Sequence, residues 1–173
     1  PDSVMPRPPA SSREELDRIQ LAKLRELLGA VRPDNAFYET KLGQAGIDDS
    51  VASLAEFRAN CPFTTKPELA DDHAANPPYS SNLTFPLGSY TRVHQTSGTS
   101  GAPLRWLDTP ESWQWMIENW SDIFRAAGVS AADRIFFAFS FGPFIGFWLA
   151  FEASEALGAL SIPGGGLSSE ARL

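Results

Sequence analysis

The stretch RIFFAFSFGPFIGFWLAFEASEALGALSIP, residues 134–163, decides the fold class. Its first part, Arg134 to Phe139, is a short apolar run that predicts a buried strand. The longer apolar run from Phe144 to Leu157 predicts a helix, and Ala159 to Pro163 predicts a second strand. A strand, a helix and a strand in this order indicate a parallel βαβ unit, which belongs to the α/β class of folds.

The residues before this unit continue the same pattern of strands and helices. Alternation from Tyr90 to Thr96 and an extended run from Pro103 to Leu107 predict two more strands. Thr109 is the expected cap of a helix with one apolar stripe. The stripe consists of Trp113, Met116, Ile117, Trp120 and Phe124. We therefore expect residues 81–173 to be the first part of an α/β domain, with an incomplete, doubly wound and mostly parallel sheet.

The residues before position 81 have a different character. Residues 1–11 are rich in proline and lack an apolar core, so we expect a disordered leader there. Residues 12–80 are expected to form a helical N-terminal region, because capping residues precede several amphipathic runs. The predicted capping pairs are Ser12 with Glu15, Ser53 with Glu56, and Thr65 with Glu68.

Composition excludes several classes of function. The chain has 14 Lys and Arg against 21 Asp and Glu, a net charge of −7, which gives no electrostatic reason to bind nucleic acid or an anionic membrane. A single cysteine excludes an intrachain disulfide framework, and two histidines leave little material for a metal cluster. The sequence also has no clean membrane-spanning run and no secretory signal, so we expect the cytoplasm as its compartment. The 12 Phe and 5 Trp are many for a chain of this length, so we expect other protein surface or a ligand to cover part of them.

The loop TSGTSG, residues 96–101, is the strongest candidate for chemistry. Its two glycines permit positive φ, so that backbone N–H groups can turn toward one concavity, and neighbouring hydroxyls add donors for phosphate oxygens. Plain turns have the same composition, so the residues alone leave both interpretations open. The loop is not a Walker A loop, because the lysine of that motif is absent.

A serine-hydrolase interpretation of the same loop is weaker. Residues 98–102 match the G-x-S-x-G nucleophile elbow except at the last position, with Ser100 as the nucleophile. The elbow needs a helix directly after its serine, whereas Pro103 and the residues after it predict a strand. His94, which lies in the strand before the loop, is expected to be structural.

Five segments occur in an order that is typical of one family. They are PFTTKPEL (62–69), VHQTSGTSGAP (93–103), AAGV (126–129) with Asp133 and Arg134 after it, FSFGPF (139–144), and ALGA (156–159) followed by IPGGG (162–166). The second segment resembles a signature in which a Ser/Thr-Ser-Gly-Thr-Thr-Gly-x-Pro stretch follows an Arg-x-His strand. Together, over residues 16–173, the segments resemble the phenylacetate–CoA ligase branch of the adenylate-forming enzymes.

The resemblance implies a two-step ligase reaction. A carboxylic acid attacks the α-phosphate of ATP, which gives an acyl-adenylate and pyrophosphate, and the thiol of coenzyme A then displaces AMP. ATP and Mg²⁺ are the implied cofactors and coenzyme A is the co-substrate, with the Mg²⁺ carboxylate expected outside this chain. The loop would hold the β- and γ-phosphates and neutralise the charge that develops on the leaving group. The implied phosphate contacts are Ser97, Gly98, Thr99, Ser100 and Gly101.

The resemblance also implies a pocket for an aryl acid. Phe139 and Phe144 correspond to positions that flank the ring of the acid, with Gly142 between them, and Gly164 and Gly165 are further candidates. A tyrosine is frequent in the family where Phe139 stands. The missing hydroxyl favours a more apolar or differently substituted aryl acid.

The family is longer than 173 residues, so we expect this chain to be an N-terminal portion and to be inactive on its own. The leading interpretation is a segment of an ATP-dependent aryl-acid–CoA ligase of the phenylacetate type, with the acid, ATP and coenzyme A as partners. One alternative is an aryl-acid-activating enzyme of a biosynthetic pathway, with an anthranilate-like or hydroxybenzoate-like acid. Another is a non-catalytic module that binds a partner through an exposed sheet edge and aromatic surface. A homodimer and an association with the remainder of the enzyme are both open.

Overall fold

A computed structural model describes residues 12–98 and 102–172 of the chain. These residues form two compact units, residues 12–90 and residues 91–172. The leader predicted for residues 1–11 lies outside the described residues. In the part of the chain that the structure describes, no helix combines the length and the apolar character that a membrane crossing requires.

Helices build the first unit. They are α1 (Arg13–Val31), α2 (Ala36–Gln44), α3 (Leu54–Asn60) and α4 (Lys66–Ala75). The predicted caps are present, because Ser12 Oγ and Ser53 Oγ accept hydrogen bonds from the backbone N–H groups of Glu15 and Glu56, at 3.1 and 3.0 Å. The buried core of the unit consists of Leu28, Leu42, Ile47 and Val51.

The second unit combines helices and strands. Its elements are β1 (Arg92–Gln95), β2 (Arg105–Asp108), α5 (Pro110–Ala126), β3 (Arg134–Phe137), α6 (Ile145–Ala156) and β4 (Leu160–Pro163). Strands β3 and β4 pair in parallel, with Arg134 opposite Leu160 and Phe137 opposite Pro163, and α6 connects them. The α/β class and the βαβ unit predicted from residues 134–163 are therefore confirmed.

The mostly parallel sheet needs a correction at the strands on either side of the TSGTSG loop. Strands β1 and β2 run antiparallel, with Arg92 opposite Asp108 and Gln95 opposite Arg105. They form a two-stranded sheet separate from that of β3 and β4 among the described residues, and not one doubly wound sheet. The physical reason is the connection, because residues 96–104 are too few for the crossover of about a dozen residues that parallel strands need.

Helices α5 and α6 pack against each other and form the core of the second unit. Trp113 and Ile117 of α5 are buried against Leu149 and Ala153 of α6. The partly buried side chains packed around them are Met116, Trp120, Phe124 and Ile145. The apolar stripe predicted for α5 is thus the face that it buries, as amphipathic spacing requires.

Candidate functional site

The base of the TSGTSG loop is closed by two hydrogen bonds between Thr96 and Leu104. The backbone N–H of Thr96 donates to the Leu104 carbonyl at 3.0 Å, and the N–H of Leu104 donates to Thr96 Oγ1, also at 3.0 Å. Ser97 and Gly98 therefore follow the last closed pair of a β-hairpin. Ser97 is exposed there, and Gly98 has φ +69°, a conformation that favours glycine and turns the backbone out of the strand direction.

Ser97 and Gly98 are the two predicted phosphate contacts that the structure describes. The other three, Thr99, Ser100 and Gly101, lie outside the described residues. The element after the loop is strand β2 and not a helix. A nucleophile elbow at Ser100 would need a helix there, so the strand argues against the hydrolase interpretation.

A backbone hydrogen bond joins the base of this loop to the predicted acid-binding segment. The N–H of Gln95 donates to the carbonyl of Pro143 at 3.0 Å. Trp148 Nε1 donates to the carbonyl of Gly142 at 2.9 Å and holds the same segment from the other side. The structure therefore brings the last residue of β1 next to Gly142 and Phe144, more than forty positions further along the chain.

A cleft lies beside β1 where that strand meets this segment. Its volume is about 270 Å³, and it is lined by Arg92, Val93, His94, Gly142, Pro143 and Trp148. The lining combines an aromatic ring, an aliphatic side chain and polar groups, which is the mixture that ligand sites commonly have. Of the predicted site residues, Gly142 lines this cleft.

The two predicted aryl-pocket residues, Phe139 and Phe144, belong to one aromatic cluster and share a neighbour, Phe147, that the sequence did not assign to the pocket. Phe147 of α6 stacks on Phe139, with ring centroids 4.2 Å apart and planes 28° from parallel. It meets Phe144 edge to face, with centroids 5.9 Å apart at 86°. Phe139 is half-buried, whereas Phe144 keeps 36% of its surface exposed. The helical spacing of Phe144, Phe147 and Phe151 was a signal for this cluster, although it does not say which of their faces meet.

The three candidate glycines have different surroundings. Gly142, at φ +54°, lies against the ring of Phe144, since a Cβ there would sit 3.4 Å from it. Gly164 is buried, and a Cβ there would lie 2.7 Å from both the Phe136 ring and the Phe137 carbonyl oxygen. Gly164 is therefore needed for close packing of the chain after β4 against β3. Gly165 is exposed beside the backbone of Phe139, so it remains a candidate for contact with a substrate.

An ion pair that the sequence analysis missed connects β1 to α6. The guanidinium of Arg92 donates two hydrogen bonds to the Glu152 carboxylate, at 2.7 and 2.9 Å. Trp113 Nε1 donates to the same carboxylate at 2.7 Å, and the guanidinium carbon lies 4.2 Å from the Trp113 ring centroid. This arrangement attaches the strand that leads into the loop to the helix that carries Phe147.

His94 is buried next to this ion pair, which agrees with the structural role expected for it. Its ring stacks on Trp113 with centroids 4.9 Å apart and planes 9° from parallel, and it is 5% exposed. Its Nδ1 lies 3.8 Å from Asp108 Oδ2, which is too far for a hydrogen bond. Burial lowers the pKa of His94 below its ordinary value of 6.5, with Asp108 acting in the opposite direction. The neutral imidazole is thus favoured, and its ring packs β1 against Trp113 of α5.

The described residues contain no group of three or more His, Cys, Asp or Glu side chains that could hold a metal ion. The expectation that the Mg²⁺ carboxylate lies outside this chain stays a prediction.

Comparisons with known proteins place this geometry in context. No protein-family model matches the chain. It is 32% identical over 170 residues to the phenylacetate–coenzyme A ligase of Escherichia coli strain K12, a match that covers 94% of this chain and 37% of the relative. It is 29% identical over 168 residues to the phenylacetate–coenzyme A ligase of Aromatoleum evansii, with 94% and 36% covered. The chain thus spans just over a third of the length of these relatives.

Solved structures share the fold. A 2-hydroxyisobutyryl-CoA ligase in complex with 2-HIB-AMP and CoA, in the thioesterification state, matches with a TM-score of 0.85 and 26% identity. That match covers 96% of this chain and 37% of the other. An open conformation of the same ligase with the same two ligands matches with a TM-score of 0.83 and 26% identity, covering 96% and 41%.

The ordered motifs, the sequence matches and the shared fold agree along nearly the whole chain. Over the part of that fold which it spans, the chain is similar in sequence to phenylacetate–coenzyme A ligases and shares the fold of adenylate-forming coenzyme A ligases.

Proposed function

We propose that this chain supplies the phosphate-binding loop and one wall of the acid-binding pocket of an ATP-dependent acid–coenzyme A ligase. The acid in this proposal is an aryl acid of the phenylacetate type. The observation that carries the proposal is the hydrogen bond from the Gln95 N–H to the Pro143 carbonyl. It holds the base of the hairpin loop beside the aromatic segment, so that a nucleotide phosphate on the loop and an acid on the segment would be neighbours.

The proposed reaction has two displacements. In the first, a carboxylate oxygen of the acid bonds to the α-phosphorus of ATP, the bond to the bridging oxygen breaks, and pyrophosphate leaves with the electron pair. In the second, the sulfur of coenzyme A bonds to the acyl carbon and AMP leaves, while the thiol proton passes to solvent. Ser97 and the loop N–H groups would donate hydrogen bonds to the departing phosphates and stabilise their charge.

Mg²⁺ would shield the nucleotide phosphates when it is bound. The described residues contain no cluster of side chains for it, so we assign none of them as its ligand. In such enzymes Mg²⁺ keeps several waters and is held by one or two carboxylates together with the phosphates. We therefore assign to the described residues hydrogen-bond donors on the phosphates and apolar contacts with the acid. The cytoplasmic location, the formation of a homodimer and the association with the remainder of the enzyme all stay predictions.

The aryl specificity of the proposal is supported by the cluster around Phe139 and Phe144. Aromatic side chains prefer edge-to-face and offset contacts with other rings, and such contacts add about 0.5–1.5 kcal/mol to the burial of the ring. An anthranilate-like or hydroxybenzoate-like acid would meet the same rings, so the biosynthetic alternative differs only in the substituents of the acid.

A non-catalytic binding module is a second candidate function, and one observation favours it. Phe136, Leu160 and Ile162 are exposed on the β3–β4 sheet, and their register places Phe136 beside Ile162. Exposed apolar patches of this kind mark interaction surfaces. A module of this type has no need of phosphate binding, so the experiment below separates the two functions.

The experiment is a titration of the ¹⁵N-labelled chain with pyrophosphate and then with ATP, followed by NMR. We expect the amide signals of Ser97 and Gly98 to shift, since their N–H groups would face the anion. Ser97→Ala should weaken pyrophosphate binding about tenfold, because a hydrogen bond to a charged group contributes about 1.5–3 kcal/mol.

Ser169→Ala is the matched control, because Ser169 is an exposed serine of the same unit at a distance from the loop in sequence. It should bind pyrophosphate as the wild-type chain does. Absence of shifts at Ser97 and Gly98, or equal affinities in all three proteins, would contradict the proposed phosphate loop and favour the binding module.

A further inference from the structure

Phe147 contacts both of the residues proposed to flank the acid. Its ring stacks on Phe139 with centroids 4.2 Å apart, and it meets the Phe144 ring edge to face with centroids 5.9 Å apart. Rings in van der Waals contact lie about 3.5–4 Å apart, so a ligand ring between Phe139 and Phe147 would need about twice the separation that is present. One face of Phe139 is therefore closed to the acid.

Phe147 lies in a helix that is anchored by packing and by an ion pair. Phe147 lies in α6, and Leu149 and Ala153 of the same helix are buried against α5. Phe139 lies in the irregular chain after β3, and Phe144 is the N-cap residue of α6. Glu152 lies five residues after Phe147 in the same helix and attaches it to β1 through hydrogen bonds from Arg92. A side chain on so well-anchored a helix can act as a fixed limit to a pocket.

We propose that Phe147 determines the size of the acid that the site accepts, because its ring packs against both Phe139 and Phe144. This inference rests on the proposed acid-binding function and adds a specificity-determining residue to it. With Phe147 present, the open faces of Phe139 and Phe144 accommodate one aromatic ring. Without its ring, the same space extends toward α6 and accommodates a fused second ring.

The test compares two probe acids, phenylacetate and 2-naphthylacetate, by calorimetric titration of the whole chain. The wild-type chain should prefer phenylacetate about tenfold or more, since one methylene of misfit in an apolar pocket already changes discrimination by about 10–200-fold. Phe147→Ala should remove or invert this preference. Phe147→Leu, which keeps much of the apolar volume, should lie between the two, and it decides the question if circular dichroism finds Phe147→Ala unfolded.

Phe151→Leu is the matched control on the same helix. Phe151 packs against Phe137 and Phe141, at centroid distances of 5.3 and 5.2 Å, and is not part of the proposed wall. It should keep the wild-type preference for phenylacetate. The same loss of preference in Phe151→Leu would overturn the assignment to Phe147, because the effect would then belong to the whole cluster.

Two further outcomes distinguish a failure of the Phe147 inference from a failure of the proposed acid-binding function. If the wild-type chain binds phenylacetate and the folded Phe147 variants keep its preference, the inference is overturned while the acid-binding function stands. If the wild-type chain binds neither aryl acid, the proposed aryl specificity itself is overturned. 2-Hydroxyisobutyrate in the same titration then reports whether a small acid takes its place.

Discussion

Gly164 and Gly165 are adjacent residues, but packing leaves no space for a side chain at Gly164 and leaves space for one at Gly165. A Cβ on Gly164 would lie 2.7 Å from the Phe137 carbonyl oxygen, a backbone atom that cannot move aside without disturbing β3. A Cβ on Gly165 would have its nearest contact at 3.5 Å, which is ordinary van der Waals distance. The sequence motif IPGGG contains both glycines, and only the folded chain distinguishes them.

We expect Gly164→Ala to lower the free energy of unfolding by about 1–3 kcal/mol, the usual cost of forcing an extra carbon into a packed site. Gly165→Ala is the matched control and should change the free energy of unfolding by less than about 0.5 kcal/mol, as a surface substitution does. Urea unfolding of the three proteins measures the difference. Equal stabilities would mean that the chain after β4 can move away from β3, and that Gly164 is not held by packing.

At the scale of elements, the hairpin and helix α6 form the frame of the candidate site. Strand β1 carries the loop at one end and Arg92 at the other, and α6 carries Phe147 and Glu152. Arg92 and Glu152 are 60 residues apart in the chain, yet Arg92 donates two charge-assisted hydrogen bonds to the Glu152 carboxylate. The geometry of the loop relative to the aromatic cluster therefore depends on this contact between elements, together with the Gln95–Pro143 hydrogen bond.

Glu152→Ala should lower the free energy of unfolding by about 2–4 kcal/mol. The carboxylate accepts hydrogen bonds from Arg92 and Trp113, and hydrogen bonds to charged groups contribute about 1.5–3 kcal/mol each. The two side chains of the ion pair keep 35% and 22% of their surface exposed, so solvent screening reduces the sum.

Asp122→Ala supplies the comparison for this measurement. Its ion pair with Arg125 joins two residues of the same helix, α5, three positions apart. Pairs of this kind contribute about 0.3–0.5 kcal/mol, so the loss should be small. Denaturant unfolding of both variants tests the distinction, and equal losses would mean that the Arg92–Glu152 pair does not hold the elements together.

At the scale of the whole molecule, we propose that the chain carries part of a larger catalytic arrangement. It spans 37% of the Escherichia coli relative, and the described residues contain no cluster of metal-binding side chains. The proposed loop and aromatic wall would position the phosphates and the acid, and we assign none of the described residues to the metal. Binding and catalysis should therefore be separable in this chain.

We expect this chain alone to give no exchange of labelled pyrophosphate into ATP that depends on phenylacetate. A full-length phenylacetate–coenzyme A ligase, assayed in parallel, is the positive control, and reactions without acid give the background. Acid-dependent exchange above that background would contradict the expectation, since it would mean that these 173 residues complete the adenylation site.

Local features of this protein could be predicted because their causes lie within a few residues. The cap of α1 depends on Ser12 and Glu15, three positions apart, and the buried face of α5 follows from helical spacing around Trp113. The positive φ of Gly98 belongs to the same class, since glycine is the residue that tolerates it. The order of motifs then sufficed to indicate the family.

The sequence by itself determined the helices, the βαβ unit and the composition of the loop, because periodicity and capping act between near neighbours. Only the tertiary structure decided the antiparallel pairing of β1 with β2, the ion pair between Arg92 and Glu152, and the placement of Phe147 against Phe139. Each of these depends on which elements pack together. That choice is made by burial and hydrogen bonding between distant parts of the chain, for which a local pattern carries no signal.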